Sequence, residues 1–200
     1  MNKPMPAPAP TPDIEAHIRS ELDIVLGGFA RLRALAPEIA AAGQLLIDAI
    51  KSGGKVMFCG NGGSAADAQH LAAELSGRFL RDRKALAGLA LTVDTSAITA
   101  IGNDFGFDAV FARQLHGLGR KGDALVAIST SGNSANVLEA IKAAREIGIK
   151  VVGLTGASGD KLAAAADLCL KVPADRTDHI QEMHITVGHL LCGIVEEACG

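Results

Sequence analysis

Five short apolar runs, at Val56–Cys59, Leu89–Val93, Ala124–Ser129, Val151–Leu154 and Leu168–Val172, alternate with stretches of helical pattern. The helical stretches fall near Ala65–Phe79, Ala97–Leu118, Ala135–Ile147 and Lys161–Ala165, and a last helix runs from about Asp178 to Glu197. Few folds accommodate that alternation. Each strand–helix–strand unit crosses over in the right-handed sense and lays its helix on the sheet. The pattern therefore predicts an α/β fold, a single doubly wound domain around a five-stranded, mainly parallel sheet. Ligands of such sheets bind at the carboxyl ends of the strands.

Two helical patterns precede the first strand. Ile14, Ile18, Leu22, Val25, Phe29 and Leu32 recur at helical spacing, and Pro37 restarts a pattern through Ile39, Leu46, Ile47 and Ile50 that Gly53-Gly54 ends. A helical hairpin over residues 12–54, belonging to the same domain as the core at 55–200, is the expected arrangement. Five of the seven prolines lie at alternating positions from Pro4 to Pro12, so residues 1–11 read as a disordered Pro/Ala tail.

A chain of 200 residues that is 48% hydrophobic and 20% charged can bury a sizeable core. A net charge of −3, with no Trp, no Tyr and six Phe, gives no basic face and little stacking surface for nucleic acid. The four cysteines form no C-x-x-C pair, no apolar run reaches membrane-spanning length and the N-terminus has no apolar signal core. The expectation is a soluble, cytoplasmic protein without disulfides.

Chemistry concentrates between Lys55 and Glu74. The run Val56–Cys59 ends in Gly60-Asn61-Gly62-Gly63-Ser64, where a helix begins. Backbone N–H groups at such a junction, on the positive end of a helix, suit a phosphate. His70 and Glu74 follow at i,i+4 and share a face of that helix, a spacing also common in surface hydrogen bonds. The segment Gly60–Ala65 also fits the dinucleotide fingerprint, but the acid that would bind ribose, Asp94, lies more than thirty residues on, where about twenty is usual. A second loop, Ser129-Thr130-Ser131-Gly132-Asn133-Ser134, crowds hydroxyls at another strand exit. These could surround a phosphate, or Ser134 could simply cap the next helix. In the last helix His189, between Gly188 and Leu190, is the better site candidate, and His184 suits a structural role. Gln181 and His189 are eight residues apart, about 12 Å along a straight helix. One metal could bind both only if Gln181 lay in an irregular first turn or the two came from different subunits. Asn103-Asp104, beside Phe105-Gly106, is by spacing alone turn chemistry.

Four ordered motifs together resemble the sugar isomerase (SIS) domain and, within it, the phosphoheptose isomerase family. They are Gly60–Ser64 with Asp67-Ala68-Gln69-His70, Gly102-Asn103-Asp104-Phe105-Gly106, Ser129–Ser134, and Ile180-Gln181-Glu182 with His189, and the match runs from about Asp13 to Glu197. The resemblance implies a flavodoxin-like sheet and a ketose–aldose isomerase that converts sedoheptulose 7-phosphate to D-glycero-D-manno-heptose 7-phosphate through an enediol. In that family this is the first step toward nucleotide-activated heptose for surface glycans. It implies Glu74 and His189 as the catalytic acid/base pair. Substrate contacts are implied for Asn61, Gly62, Gly63, Glu74, Asn103, Asp104, Ser129, Thr130, Ser131, Ser134 and Gln181, and Arg78 and Asp178 match positions that often line the site. It further implies one zinc per subunit on His70, Glu74, Gln181 and His189, and a homotetramer with sites between subunits. The runner-up is a non-catalytic SIS protein that acts on a replication initiator. Members of that kind share the loops and lack the Glu/His pair that this chain has.

Overall fold

The structure, a computed structural model, describes residues 13–200. The tail expected over 1–11 lies outside the described residues. Two helices, α1 (Ile14–Leu32) and α2 (Ala36–Lys51), lead into β1 (Val56–Gly60), α3 (Gly63–Ser76), β2 (Gly88–Ala90), α4 (Thr95–Phe105) and α5 (Val110–Leu118). Then come β3 (Ala124–Ile128), α6 (Ala135–Ile147), β4 (Lys150–Thr155), α7 (Asp160–Ala165), β5 (Leu168–Lys171) and α8 (Thr177–Cys199). All strand pairs are parallel, in the order β2-β1-β3-β4-β5.

The period-two alternation of the strands explains why both sheet faces are covered. Val56, Phe58, Val126, Val152 and Leu154 point to one face and pack with α2, α3 and α8. Met57, Cys59, Leu125, Ala127 and Val151 point to the other and pack with α5, α6 and Leu162 of α7. Because β1 and β3 are neighbours and the chain winds outward from them in both directions, their carboxyl ends bound the crevice where such sheets bind ligands. Gly60 and Ile128, the last residues of the two strands, stand in register.

Apart from β2, which spans Gly88–Ala90 in place of the expected Leu89–Val93, the structure departs from the expected elements in three places. The N-terminal helices do not fold back as a hairpin. One 3-10 turn (Arg33–Leu35) joins them, with Leu35 leaving the helical region at φ −84° and ψ 5°. Instead of packing side by side, the two helices rest on the core, α1 against α8 and α2 against α8 and the strands β1, β3 and β5. Pro37 permits this because a proline in the first helical turn interrupts no hydrogen bond. The single helix expected over Ala97–Leu118 is split, since Gly106 takes φ +86°, which ends α4 before a short 3-10 turn starts α5. The third departure is at α3, which stops at Ser76 instead of Phe79. No helix among the described residues is long and apolar enough to cross a membrane.

Candidate active site

Two loops meet at the carboxyl ends of β1 and β3. In the first, Gly62 has φ +56°, and a Cβ on Gly60 would stand 2.8 Å from the Ser64 carbonyl oxygen. Only glycines allow this strand to turn so tightly into α3. The amides at the start of α3 receive no side-chain cap from Gly62. In the second loop, Ser134 occupies the N-cap position of α6 but its hydroxyl caps nothing. That hydroxyl lies 2.9 Å from the Ser129 hydroxyl instead. Capping is thus not the role of Ser134, and two hydroxyls converge beside an uncapped helix start, an arrangement that suits a phosphate. The Thr130 carbonyl is held by the Gly156 amide, which ties this loop to the end of β4.

A reciprocal side-chain pair joins the two loops. The Asn61 amide donates to Asn136 and the Asn136 amide donates back, both at 2.8 Å. Asn136 is buried in the first turn of α6 and carries no sequence signal beyond its place after the hydroxyl-rich loop. With its side chain committed, Asn61 has its backbone left to offer a ligand.

Farther along α3, His70, Glu74 and His189 of α8 form a cluster whose ligand atoms all lie within 4.8 Å of one another. His70 Nε2 lies 2.8 Å from His189 Nε2 and 3.1 Å from Glu74 Oε1. Two facing ring nitrogens at that distance share at most one proton. Two imidazoles and a carboxylate are a zinc-type donor set. Imidazole nitrogens on one zinc stand about 3.3 Å apart, so the cluster fits a metal after spreading by about half an ångström. The Phe79 ring stacks on His189 with centroids 5.6 Å apart and planes at 19°.

Gln181 stands apart from this cluster. Its amide packs on the start of α3, within 2.8 Å of where a Gly63 Cβ would be, roughly 10 Å along the helix from His70. Because α8 is regular from Thr177, no irregular first turn brings Gln181 to His189 within one chain. Asn103 and Asp104 lie exposed in the last turn of α4, bonded to each other at 2.8 Å and to neither loop. Arg78 is exposed after α3, and Asp178 is paired with Arg176, whose guanidinium holds that carboxyl far below the usual range. Asp94 accepts from the Ala97 amide as the cap of α4, which accounts for it without a ribose.

Two buried polar groups near the site lack hydrogen-bond partners. One is Oδ2 of Asp67, one helical turn before His70, and burial pushes this carboxyl up to about 6 against an opposing pull from His70. The other is the His184 ring, with neither nitrogen bonded, which burial pushes down to about 4. Burial also pushes the Cys59 and Cys192 thiols up to about 12, so neither is a nucleophile near neutral pH.

The SIS domain family model matches residues 29–156. The chain is 60% identical to a phosphoheptose isomerase of Rhodospirillum rubrum over 92% of its own length and 98% of that protein's. It is 52% identical to one of Akkermansia muciniphila, covering 90% and 95%. Among solved structures it is similar to a phosphoheptose isomerase of Neisseria gonorrhoeae at 46% identity and a TM-score of 0.87, covering 92% of this chain and 99% of that one.

Proposed function

The chain belongs to the SIS domain family, and from that footing we infer that it is a phosphosugar isomerase, interconverting sedoheptulose 7-phosphate and D-glycero-D-manno-heptose 7-phosphate. One observation carries the assignment of roles. The His70–Glu74–His189 cluster stands at the end of α3 away from the two loops, so a phosphate held at the loops leaves a sugar chain reaching toward the cluster.

In this reading the amides at Gly62 and Gly63 and the hydroxyls of Ser129, Thr130, Ser131 and Ser134 hold the phosphate. Binding energy gathered there positions the first two carbons. Glu74 removes a proton from C1 of the ketose, and the electron pair forms the C1–C2 enediol. Return of a proton at C2 gives the aldose, while His189 moves the protons between the two oxygens. His70, Glu74 and His189 would hold a zinc ion, which when bound polarises a substrate oxygen and orients its ligands.

Gln181, Asn103 and Asp104 join the site from other copies in a homotetramer. The apolar residues that α1 leaves exposed, Ile14, Ile18, Leu22, Ile24 and Leu26, support such contacts, as does the cleft between Phe29, Ile39, Leu190 and Ile194. Four free cysteines accord with a reducing cytoplasm. The non-catalytic reading would leave the Glu74–His189 pair without a role. An assay of purified protein with sedoheptulose 7-phosphate, after chelator treatment and again with added zinc, tests this function. Turnover restored by zinc is expected, and no aldose phosphate under any condition would overturn it.

A further inference from the structure

A histidine ring turns easily about its last side-chain bond, whose torsion is broad and roughly two-fold. The plane of His189 is therefore set by what touches it. The edge of His70 meets it at 77°, and the face of Phe79 covers it at 19°. The His70 contact runs through the Nε2 atoms that the reaction or a metal needs, so it cannot persist when the site is at work. Phe79 is the constraint that remains. Its ring also lies over Gly193, one turn farther along α8, where a Cβ would come within 3.4 Å of it.

Phe79 sits on no helix or strand, yet its segment is firmly held. The Glu196 carboxylate accepts from three successive amides, Phe79 at 2.9 Å, Leu80 at 2.8 Å and Arg81 at 3.0 Å, and from Arg83 Nε at 3.0 Å. Arg83 in turn donates to the carbonyls of Leu75, Gly77 and Lys84, and at 2.7 Å to that of Glu74. Both side chains of the pair are only 3% exposed. One buried ion pair thus grips the backbone of Glu74 on one side and the segment that aims Phe79 at His189 on the other.

We propose that Phe79 is a positioning residue for His189, and that the Arg83–Glu196 pair holds it there, so that the segment after α3 fixes the imidazole plane relative to Glu74. The proposal rests on the isomerase reading, which wild-type turnover tests separately. Phe79→Leu keeps the apolar bulk and loses the flat face, and Phe79→Tyr keeps the face. For Phe79→Leu, kcat is expected to fall about tenfold with KM within twofold of wild type. Phe79→Tyr is expected to restore kcat to within twofold, with melting temperatures unchanged across the set. A Phe79→Leu enzyme with kcat within twofold of wild type overturns the proposal, as does a loss expressed in KM or a Tyr variant as slow as the Leu variant. Hydrogen exchange on the wild-type protein tests the holding pair without any variant or assay. The Phe79, Leu80 and Arg81 amides should exchange as slowly as those inside α8, and rapid exchange there refutes it.

Discussion

His184 makes the pH stability of this fold predictable. Its ring is buried between α8 and the end of β4 with no well-formed hydrogen bond to either nitrogen; the Thr155 backbone lies near enough to favour the protonated ring, but burial outweighs it. The folded ring titrates near 4, against an ordinary value of 6.5 in the unfolded chain. Between those values the unfolded state binds the extra proton, so stability is full above about pH 6.5 and falls as pH drops toward about 4. The fall from 6.5 to about 4 corresponds to ~3 kcal/mol lost below pH 4, and to ~2 kcal/mol at about pH 5. His184→Leu removes this loss. Urea unfolding of both proteins at one fixed protein concentration, at about pH 7.5 and about pH 5, measures it. The change of side-chain shape affects the variant equally at both pH values and cancels. What remains is a shift of ~2 kcal/mol in favour of the variant on acidification. An unchanged gap between the two proteins would mean that the ring accepts its proton without penalty, and the account of an unpartnered, dehydrated imidazole would fail.

Glu74→Gln and His189→Gln should each lower kcat by at least about a hundredfold while unfolding midpoints stay close to wild type, as expected for groups that move protons. Steady-state kinetics beside urea titrations check this, and near-normal turnover in either variant removes that residue from its role. Asn136→Leu should release Asn61 and slacken the joint between the loops that follow β1 and β3. It is expected to raise KM for the phosphosugar about tenfold, change kcat little and cost ~1–3 kcal/mol of stability, the penalty for the Asn61 amide left without a partner. A variant that loses kcat at unaltered KM would place Asn136 in the chemistry instead of the binding loops.

The sheet was legible because its strands obey a local rule. Each apolar run is short, β-rich and closed by a turn signal, and β3 and α6 lie where the pattern places them. A turn beside Gly106 was legible but misplaced: Asn103-Asp104, read as turn chemistry, stay in the last turn of α4, and the helix ends only at Gly106, since a glycine within a helical pattern is tolerated as often as it ends the helix. His70 and Glu74 could be paired from spacing alone, since a helix puts i and i+4 on one face. Their meeting with His189 depends on α8 lying alongside α3, a long-range fact that periodicity does not contain. The Asn61–Asn136 pair is hidden for the same reason, as it spans two strand–helix units.

Glu196 is different, because the sequence does carry a signal for it. A carboxylate in the last turn of a helix faces the negative end of the dipole, and here Glu196 and Glu197 both stand there with no basic residue in that turn. Glu197 is exposed and costs little, but an acid buried at that end needs compensation from elsewhere in the chain. Three amides and Arg83 supply it, and together they hold Glu196 ionised, its carboxyl lowered despite burial. A charge that contradicts its own helix thus marks where distant backbone must gather. In this chain that gathering place is the segment that carries Phe79 to His189.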